Sequence, residues 1–356
     1  ILSSGQLVQG KTVGEFESQI AQHVGAKFAI AVTNCTSALF LTLKALDIQS
    51  GDKVIVPAFS WPATANVVVL CDAEPVFVDI DQKTYNIDVK KLEETLSHFH
   101  DNRVKAIIPV HAFGLMAVMP PIMELAERYK VPVIEDAACA LGAYGFGKYA
   151  GNFGLAGCFS FHPRKSITTG EGGMIVTNDS FLARRLKSLR NHGLDPDSPT
   201  PDFVEAGYNM RLTELQAALG VSQMKGLKNK LQIRRELSNH YHSLLKESAL
   251  VIPELVEDRE HIFQSYIVLL PPSIKEKRQH VINELKANNI EATIGTYHIP
   301  LTSYFKKQND YKKGDFPNSD DVFERAVALP FHEKLSFAQQ GEVAHRIKNI
   351  LSDYDF

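Results

Sequence analysis

The sequence predicts an α/β protein in which a large N-terminal domain is followed by a smaller α+β domain. Between residues 28 and 136, short β-rich runs alternate with helix-length segments. The runs are continuously apolar, which is typical of parallel strands that helices cover on both faces. We predict strands at residues 28–33, 53–57, 75–79, 104–110 and 131–135. The large domain should therefore contain a mostly parallel sheet flanked by helices.

Two further strand-like runs, at residues 157–161 and 174–177, add to the predicted sheet. The stretch that joins them, residues 162–173, is polar and contains glycine, which favours a loop. Because loops that a rigid sheet holds in place often carry function, we predict that this loop lies at the edge or end of the sheet and contains functional residues.

The C-terminal part of the chain has a different pattern. Helical periodicity dominates from residue 179 to residue 248, after which we predict strands at 263–270 and 290–294 and helices near 274–288, 320–328 and 337–351. We place the boundary within residues 224–234, which gives a large domain of residues 1–228 and a small domain of residues 229–356. The polar residues 306–315 are predicted to form a mobile loop.

Composition and charge argue against several classes of function. The chain has 356 residues and a net charge of -3, so neither nucleic acid nor an anionic membrane is an expected partner. Its longest apolar runs are far shorter than the ~20 residues that span a bilayer. The four cysteines are scattered and indicate neither a disulfide framework nor a zinc site, which favours the cytoplasm; they are Cys35, Cys71, Cys139 and Cys158.

Lys165 in the 162–173 loop and Asp136 after the strand 131–135 are the first candidates for chemistry. A single loop lysine is usually just solvated, so other features must support it. Ligands of parallel sheets bind at the carboxyl ends of the strands, where Asp136 is expected. A lysine that forms a Schiff base and an aspartate that pairs with the pyridine nitrogen are the groups that pyridoxal phosphate requires from a protein. Asp136 could equally cap a following helix.

Two other segments favour a phosphate-bearing, flat cofactor. Thr36 and Ser37 stand where a predicted strand passes into a helix, and helix N-termini bind phosphate through free N–H groups. The same residues are also ordinary helix caps. Trp61, the only tryptophan, follows the strand 53–57 and could stack on a cofactor ring. A tryptophan in the hydrophobic core is the alternative interpretation.

Motifs from one end of the chain to the other resemble the DegT/DnrJ/EryC1/StrS family of sugar aminotransferases, a branch of the fold type I pyridoxal-phosphate enzymes. These motifs are Gly5-Gln6-Leu7-Val8-Gln9-Gly10, Phe77-Val78-Asp79-Ile80-Asp81, Tyr85-Asn86-Ile87-Asp88, Tyr208-Asn209-Met210-Arg211 and Ala328-Leu329-Pro330-Phe331-His332. The resemblance implies an aspartate-aminotransferase-like fold with a seven-stranded, mostly parallel sheet. It also implies pyridoxal 5'-phosphate as cofactor, with pyridoxamine 5'-phosphate as the intermediate form.

The resemblance assigns roles to individual residues. Lys165 would form the Schiff base and Asp136 would pair with the pyridine nitrogen, while Trp61 would stack on the ring. The residues that would hold the phosphate are Thr36, Ser37 and Ser160. Cys139 stands beside the expected position of the phenolic oxygen, where many relatives have Gln or His. Cys35 stands where many have Gly.

Two further residues bear on partners. By resemblance, Asn209 reaches the cofactor phosphate of a neighbouring subunit, which implies a homodimer with shared active sites. His298 resembles a loop residue near the sugar substrate.

The implied reaction is a two-step exchange in which glutamate loads the cofactor with an amino group and a nucleotide-activated keto sugar receives it. Residues 166–173 resemble relatives that act on 4-keto sugars, so we expect amination at carbon 4 of a deoxysugar for surface polysaccharide or glycoconjugate synthesis. Lys165 is the expected proton carrier, with a pKa that burial lowers towards neutrality. The alternatives are a pyridoxamine-phosphate-dependent sugar dehydratase, which typically has His at the lysine position, and a non-catalytic regulator that binds the cofactor.

Overall fold

The computed structural model describes residues 1–99 and 103–354. Its strands are β1 (Phe28–Val32), β2 (Lys53–Pro57), β3 (Phe59–Ser60), β4 (Glu74–Val78), β5 (Val104–Ile107), β6 (Ile134–Asp136), β7 (Tyr144–Gly145), β8 (Lys148–Tyr149), β9 (Ala156–Ser160), β10 (Gly173–Thr177), β11 (Tyr266–Leu269), β12 (Tyr297–His298) and β13 (Ala326–Leu329). Its helices are α1 (Lys11–Val24), α2 (Cys35–Ala45), α3 (Ala63–Val69), α4 (Val89–His98), α5 (Met119–Tyr129), α6 (Ser180–Arg190), α7 (Glu214–Met224), α8 (Leu227–Leu245), α9 (Arg278–Ala287), α10 (Ser303–Asn309), α11 (Pro317–Arg325) and α12 (Phe337–Ser352). None of these helices is long and apolar enough to cross a bilayer.

A seven-stranded sheet organises the first half of the chain. Hydrogen-bonded pairs give the orders β1-β10-β9-β6 and β4-β2-β5. Parallel bridges from Ile107 to Val133 and from Val110 to Asp136 join β5 to β6, so the two parts form one sheet. β10 runs antiparallel to β1 and β9, and the other neighbouring strands are parallel. The predicted mostly parallel sheet is therefore confirmed.

Helices cover both faces of the sheet, as the continuously apolar strands require. On one face, Phe16 of α1 and Leu125 of α5 lie in a core that includes Val176 of β10. On the other face, Leu41 of α2 and Leu186 of α6 pack in a second core. Full burial of one such side chain stabilises the fold by about 1.5–3 kcal/mol. The helical layers thus fix the ends of the strands in place.

A third core lies in the C-terminal part of the chain, where α8, α9 and α12 pack on the antiparallel pair β11 and β13. Two predictions here were wrong in detail. The helix predicted over residues 320–328 ends at Arg325, because the following apolar residues pair with β11 as strand β13. The strand predicted over residues 290–294 reduces to one bridge between Thr293 and Ala328.

Two connecting segments also differ from expectation. α8 contributes Leu227 to the first core and Tyr241 to the third, so the helix at the predicted 228/229 boundary belongs to both parts. The predicted loop 306–315 is partly helical, since its first residues complete α10. Its Tyr311 ring lies 5.5 Å from the ring of Phe77, which attaches the segment to the sheet.

Candidate active site

The carboxyl ends of the parallel strands bring the candidate residues to one edge of the sheet. Asp136 ends β6 and Ser160 ends β9, while Gly173 begins β10 directly opposite Ser160. β1 leads into the start of α2, and β2 leads through β3 to Trp61. Because strand ends that point the same way share an edge, residues distant in sequence become neighbours here.

The Asp136 carboxylate is buried and hydrogen-bonded on both oxygens. Oδ2 accepts a hydrogen bond from Thr64 Oγ1 at 2.8 Å, and Oδ1 accepts one from the backbone N–H of Ala138 at 3.2 Å. The Ser60 hydroxyl lies 3.1 Å from that of Thr64. Burial raises the pKa of Asp136, whereas these hydrogen bonds and the charge of Lys165 oppose the rise. A turn follows Asp136, so the residue caps no helix there.

A second buried network holds the strand that carries Asp136. The Glu135 carboxylate accepts backbone hydrogen bonds from Gly151, Phe153 and Gly154 at 2.6–2.8 Å. His111 Nε2 lies 2.9 Å from Glu135, and His111 Nδ1 accepts from the N–H of Ala117 at 3.1 Å. Because Nδ1 accepts, Nε2 carries the proton that is donated to Glu135. This network positions Asp136 without using its side chain.

The loop that carries Lys165 is fixed by the helices beneath it. Gln223 of α7 exchanges two hydrogen bonds with the backbone of Thr168, at 3.0 and 3.3 Å. Lys230 of α8 donates to the carbonyl of Ser166 at 3.2 Å, and Ile167 is buried in the first core. The helices α7 and α8 therefore hold the loop that carries Lys165 in place. The Nζ of Lys165 lies 3.0 Å from the Sγ of Cys139.

The electrostatics of Lys165 differ from the expectation. Burial is the largest single influence and disfavours the ammonium, but Cys139, Cys35 and Asp136 together outweigh it, so the pKa of Lys165 lies above its usual range. This direction is opposite to the predicted lowering. Sequence reasoning considered burial alone and could not see the acidic partners that surround the nitrogen.

The start of α2 forms a cradle suited to an anion. Asn34 caps the helix by accepting from the N–H of Ser37 at 2.8 Å, and the Ser37 hydroxyl lies 2.9 Å from that of Thr33. The first N–H groups of a helix, here those of Cys35 and Thr36, have no acceptor within the helix. Thr36 is exposed, and a Cβ on Gly173 would come within 2.4 Å of the Asn34 carbonyl carbon. Only glycine lets β10 approach the cradle this closely.

Trp61 lies at the surface rather than in the core, with 63% of its area exposed. Its ring centroid is 5.6 Å from that of Tyr297, and β3 pairs with β12 beside it. An exposed indole at this edge of the sheet is free to stack on a flat ligand. The structure therefore excludes the core interpretation of Trp61.

Three other predicted residues lie in different settings. Ser160 is half-buried, and its hydroxyl accepts from the N–H of His162 at 3.4 Å. Asn209 is exposed and bridges to Asn191 through its backbone. The His298 side chain is fully buried, with Nδ1 3.4 Å from Asp320. His298 thus does not face the open edge, whereas its neighbour Tyr297 does.

Sequence reasoning missed Thr64, Ser60, Glu135 and His111. Glu135 did leave a signal, because a charged residue inside an apolar strand must find partners when it is buried. Thr64 left none, since its contact with Asp136 spans 72 positions along the chain.

A model of the DegT/DnrJ/EryC1/StrS aminotransferase family matches residues 1–348. The chain belongs to this family. A putative sugar aminotransferase from Streptococcus pneumoniae, solved in its PLP form, superposes with a TM-score of 0.93 at 26% identity over 99% of this chain and 94% of that one. The fold is therefore the fold type I architecture that the resemblance implied.

Several curated relatives of the chain are named for work on nucleotide-linked sugars. GDP-perosamine synthase from Caulobacter vibrioides is 41% identical over 96% of this chain and 91% of its own length. A UDP-4-amino-4-deoxy-L-arabinose–oxoglutarate aminotransferase from Shewanella sediminis is 33% identical over 99% and 94%. A dTDP-3-amino-3,6-dideoxy-alpha-D-galactopyranose transaminase from Aneurinibacillus thermoaerophilus is 36% identical over 94% and 89%.

Proposed function

We propose that the protein is a pyridoxal-phosphate-dependent aminotransferase that moves an amino group from glutamate to the C4 keto group of a nucleotide-linked deoxysugar. The proposal rests on one observation: Lys165 and the buried Asp136 carboxylate lie at the same edge of the sheet, close enough to interact electrostatically. A helix N-terminus and an exposed indole lie at the same edge. This set matches the amine, carboxylate, phosphate and ring partners that the cofactor needs.

When bound, pyridoxal phosphate supplies an electron sink for the carbanion that forms at the substrate carbon. Asp136 would hold the pyridine nitrogen in its protonated form, and the hydrogen bonds from Thr64 and Ala138 favour the ionised form of its carboxylate and orient it. The start of α2, with Ser37 and Thr36, would bind the phosphate, as would Ser160. Trp61 would cover one face of the ring. Lys165 would anchor the cofactor and carry the proton during transfer.

The names of the relatives support the substrate class. One is named for a 4-amino sugar and for oxoglutarate, which is the keto acid that glutamate becomes when it gives up its amino group. Another is named for a 3-amino sugar, so carbon 3 is the competing position. The resemblance of residues 166–173 to 4-keto enzymes favours carbon 4. Surface polysaccharide or glycoconjugate synthesis in the cytoplasm is the role we propose, and the four free thiols fit a reducing compartment.

We also propose a homodimer in which each site receives Asn209 from the other subunit. The exposed position of Asn209 leaves its side chain available for such a contact. In this arrangement a single chain lacks one of the residues that would bind the cofactor phosphate. We further propose that the chain divides into domains of residues 1–228 and 229–356, with the cofactor-binding residues on the large domain.

The experiment that tests the donor half is a cofactor spectrum. The protein loaded with pyridoxal phosphate should absorb in the visible range, and stoichiometric glutamate should remove the band with release of one equivalent of 2-oxoglutarate. A dehydratase would bind pyridoxamine phosphate and eliminate water from the sugar without consuming glutamate. A silent regulator would show the band but release no oxoglutarate. Either result would overturn the proposal.

A further inference from the structure

Lys165 and Cys139 are in direct contact at the site. Nζ of Lys165 donates a hydrogen bond to Sγ of Cys139 at 3.0 Å. Cys139 lies in the turn that follows β6, three positions after Asp136, and it is half-buried while the other three cysteines are buried. A thiol at this position can exchange a proton, which a glutamine amide cannot do.

We propose that Cys139 is the proton partner of Lys165 and that the pair interconverts between an ammonium with a thiolate and a neutral amine with a thiol. The inference rests on the proposed function, in which Lys165 must become a neutral nucleophile. One proton moves from Nζ to Sγ and no charge enters or leaves the site. Cys139 is a positioning residue here, because it acts through Lys165.

Two opposing effects act on the position of the shared proton. In water a thiol is about two pKa units more acidic than a lysine ammonium, which favours the thiolate and ammonium. Burial disfavours two charges and therefore favours the neutral pair. Because Nζ and Sγ are in direct contact, the proton can move inside the pair instead of passing to bulk water.

The other titratable groups around Nζ are less suited to this role. Cys35 acts on Lys165, but its thiol is buried and burial raises its pKa well above the usual range. The Asp136 carboxylate is already held by Thr64 and Ala138 and is needed for the pyridine nitrogen. His111 acts on Asp136 but its Nε2 is directed to Glu135. Cys139 is the group of this set that contacts Nζ.

The test measures the alkylation of Cys139 by iodoacetamide in cofactor-free protein, by mass spectrometry across pH 5 to 9. An unpaired thiol is only a few per cent thiolate at pH 7, so a thiol that shares its proton with Lys165 should be alkylated faster than an unpaired one. Lys165→Met should therefore slow the alkylation at pH 7 by about tenfold, after allowing for the lower nucleophilicity of an acidic thiol. The matched control is Arg164→Met, which removes an exposed cation from the same loop and should leave the rate unchanged.

Equal rates in the parent and in Lys165→Met would overturn the proposal, as would an equal slowing by Arg164→Met. A second readout is the rate at which the visible band appears on mixing with pyridoxal phosphate. Cys139→Ser keeps a small polar group but removes the thiol that raises the pKa of Lys165, so the rise in loading rate should move to lower pH. An unchanged pH profile would also contradict the proposal. If the parent never forms the band, the proposed function fails while the alkylation result still decides the pairing.

Discussion

The hydrogen bond from Thr64 to Asp136 should control cofactor affinity. Thr64 is fully buried, and its hydroxyl is 2.8 Å from Asp136 Oδ2. Thr64→Val keeps the shape of the side chain but leaves one oxygen of a buried carboxylate without its donor. A hydrogen bond to a charged group contributes about 1.5–3 kcal/mol, so the dissociation constant for pyridoxal phosphate should rise by about 10- to 100-fold.

The fluorescence of Trp61 provides the assay, because it is the only tryptophan and lies exposed at the site. Quenching by added cofactor gives the dissociation constant directly. The matched control is Thr64→Ser, which keeps the hydroxyl and removes one methyl group, and it should bind within about fivefold of the parent. If Thr64→Val and Thr64→Ser bound the cofactor equally well, the hydroxyl would have no role in holding Asp136.

The same variant should change the pH dependence in a defined direction. Burial already raises the pKa of Asp136, and the Thr64 hydrogen bond opposes the rise. Removing that bond raises the pKa further. Because only the ionised carboxylate pairs with a protonated pyridine nitrogen, affinity is lost as pH falls through this pKa. The loss should therefore begin at a higher pH in Thr64→Val than in the parent, and a shift to lower pH would refute the reasoning.

Three further outcomes are expected. Lys165→Arg should lose nearly all turnover and the visible band, since a guanidinium stays protonated and cannot act as nucleophile or base; near-parental activity would remove Lys165 from the mechanism. Mixed dimers of Lys165→Ala and Asn209→Ala subunits should regain activity, because one site would carry both defects and the other neither. Absence of recovery despite demonstrated subunit exchange would contradict shared sites. Glu135→Gln places an amide NH₂ among backbone donors and should destabilise the protein by about 1–3 kcal/mol in chemical denaturation, whereas an unchanged midpoint would show that the Glu135 network is not required.

The sheet could be predicted from sequence because its strands carry a strong physical signal. Residues 54–57 and 174–176 are apolar throughout, since helices cover both of their faces, and the structure places strands there. The position and direction of β10 could not be predicted. Periodicity reports what covers a strand but not which strand lies beside it. The apolar run after Arg325 was ambiguous for a related reason, because a short buried segment looks alike as helix or strand.

Single residues that carry the chemistry of the site could be predicted from the sequence, whereas contacts between distant side chains could not. Lys165 and Asp136 stand out by their places after strands, and the structure brings them together. The Thr64–Asp136 and Lys165–Cys139 contacts depend on how distant segments meet, so no local pattern indicates them. His298 is a residue for which the sequence supplied a motif but did not indicate where the side chain lies. Its motif suggested a substrate contact, yet the folded chain buries its side chain beside Asp320 and leaves Tyr297 at the open edge.

The most direct test of the proposed function is the transfer of ¹⁵N from labelled glutamate to a nucleotide-linked sugar. The protein, loaded with pyridoxal phosphate, is incubated with a panel of 4-keto and 3-keto nucleotide sugars, and the products are examined by mass spectrometry and NMR. We expect ¹⁵N on carbon 4 of a 4-keto sugar, with no incorporation by Lys165→Arg. Incorporation only at carbon 3 would correct the position. No incorporation into any sugar by protein that binds the cofactor and releases oxoglutarate would contradict the assignment of a nucleotide-sugar acceptor.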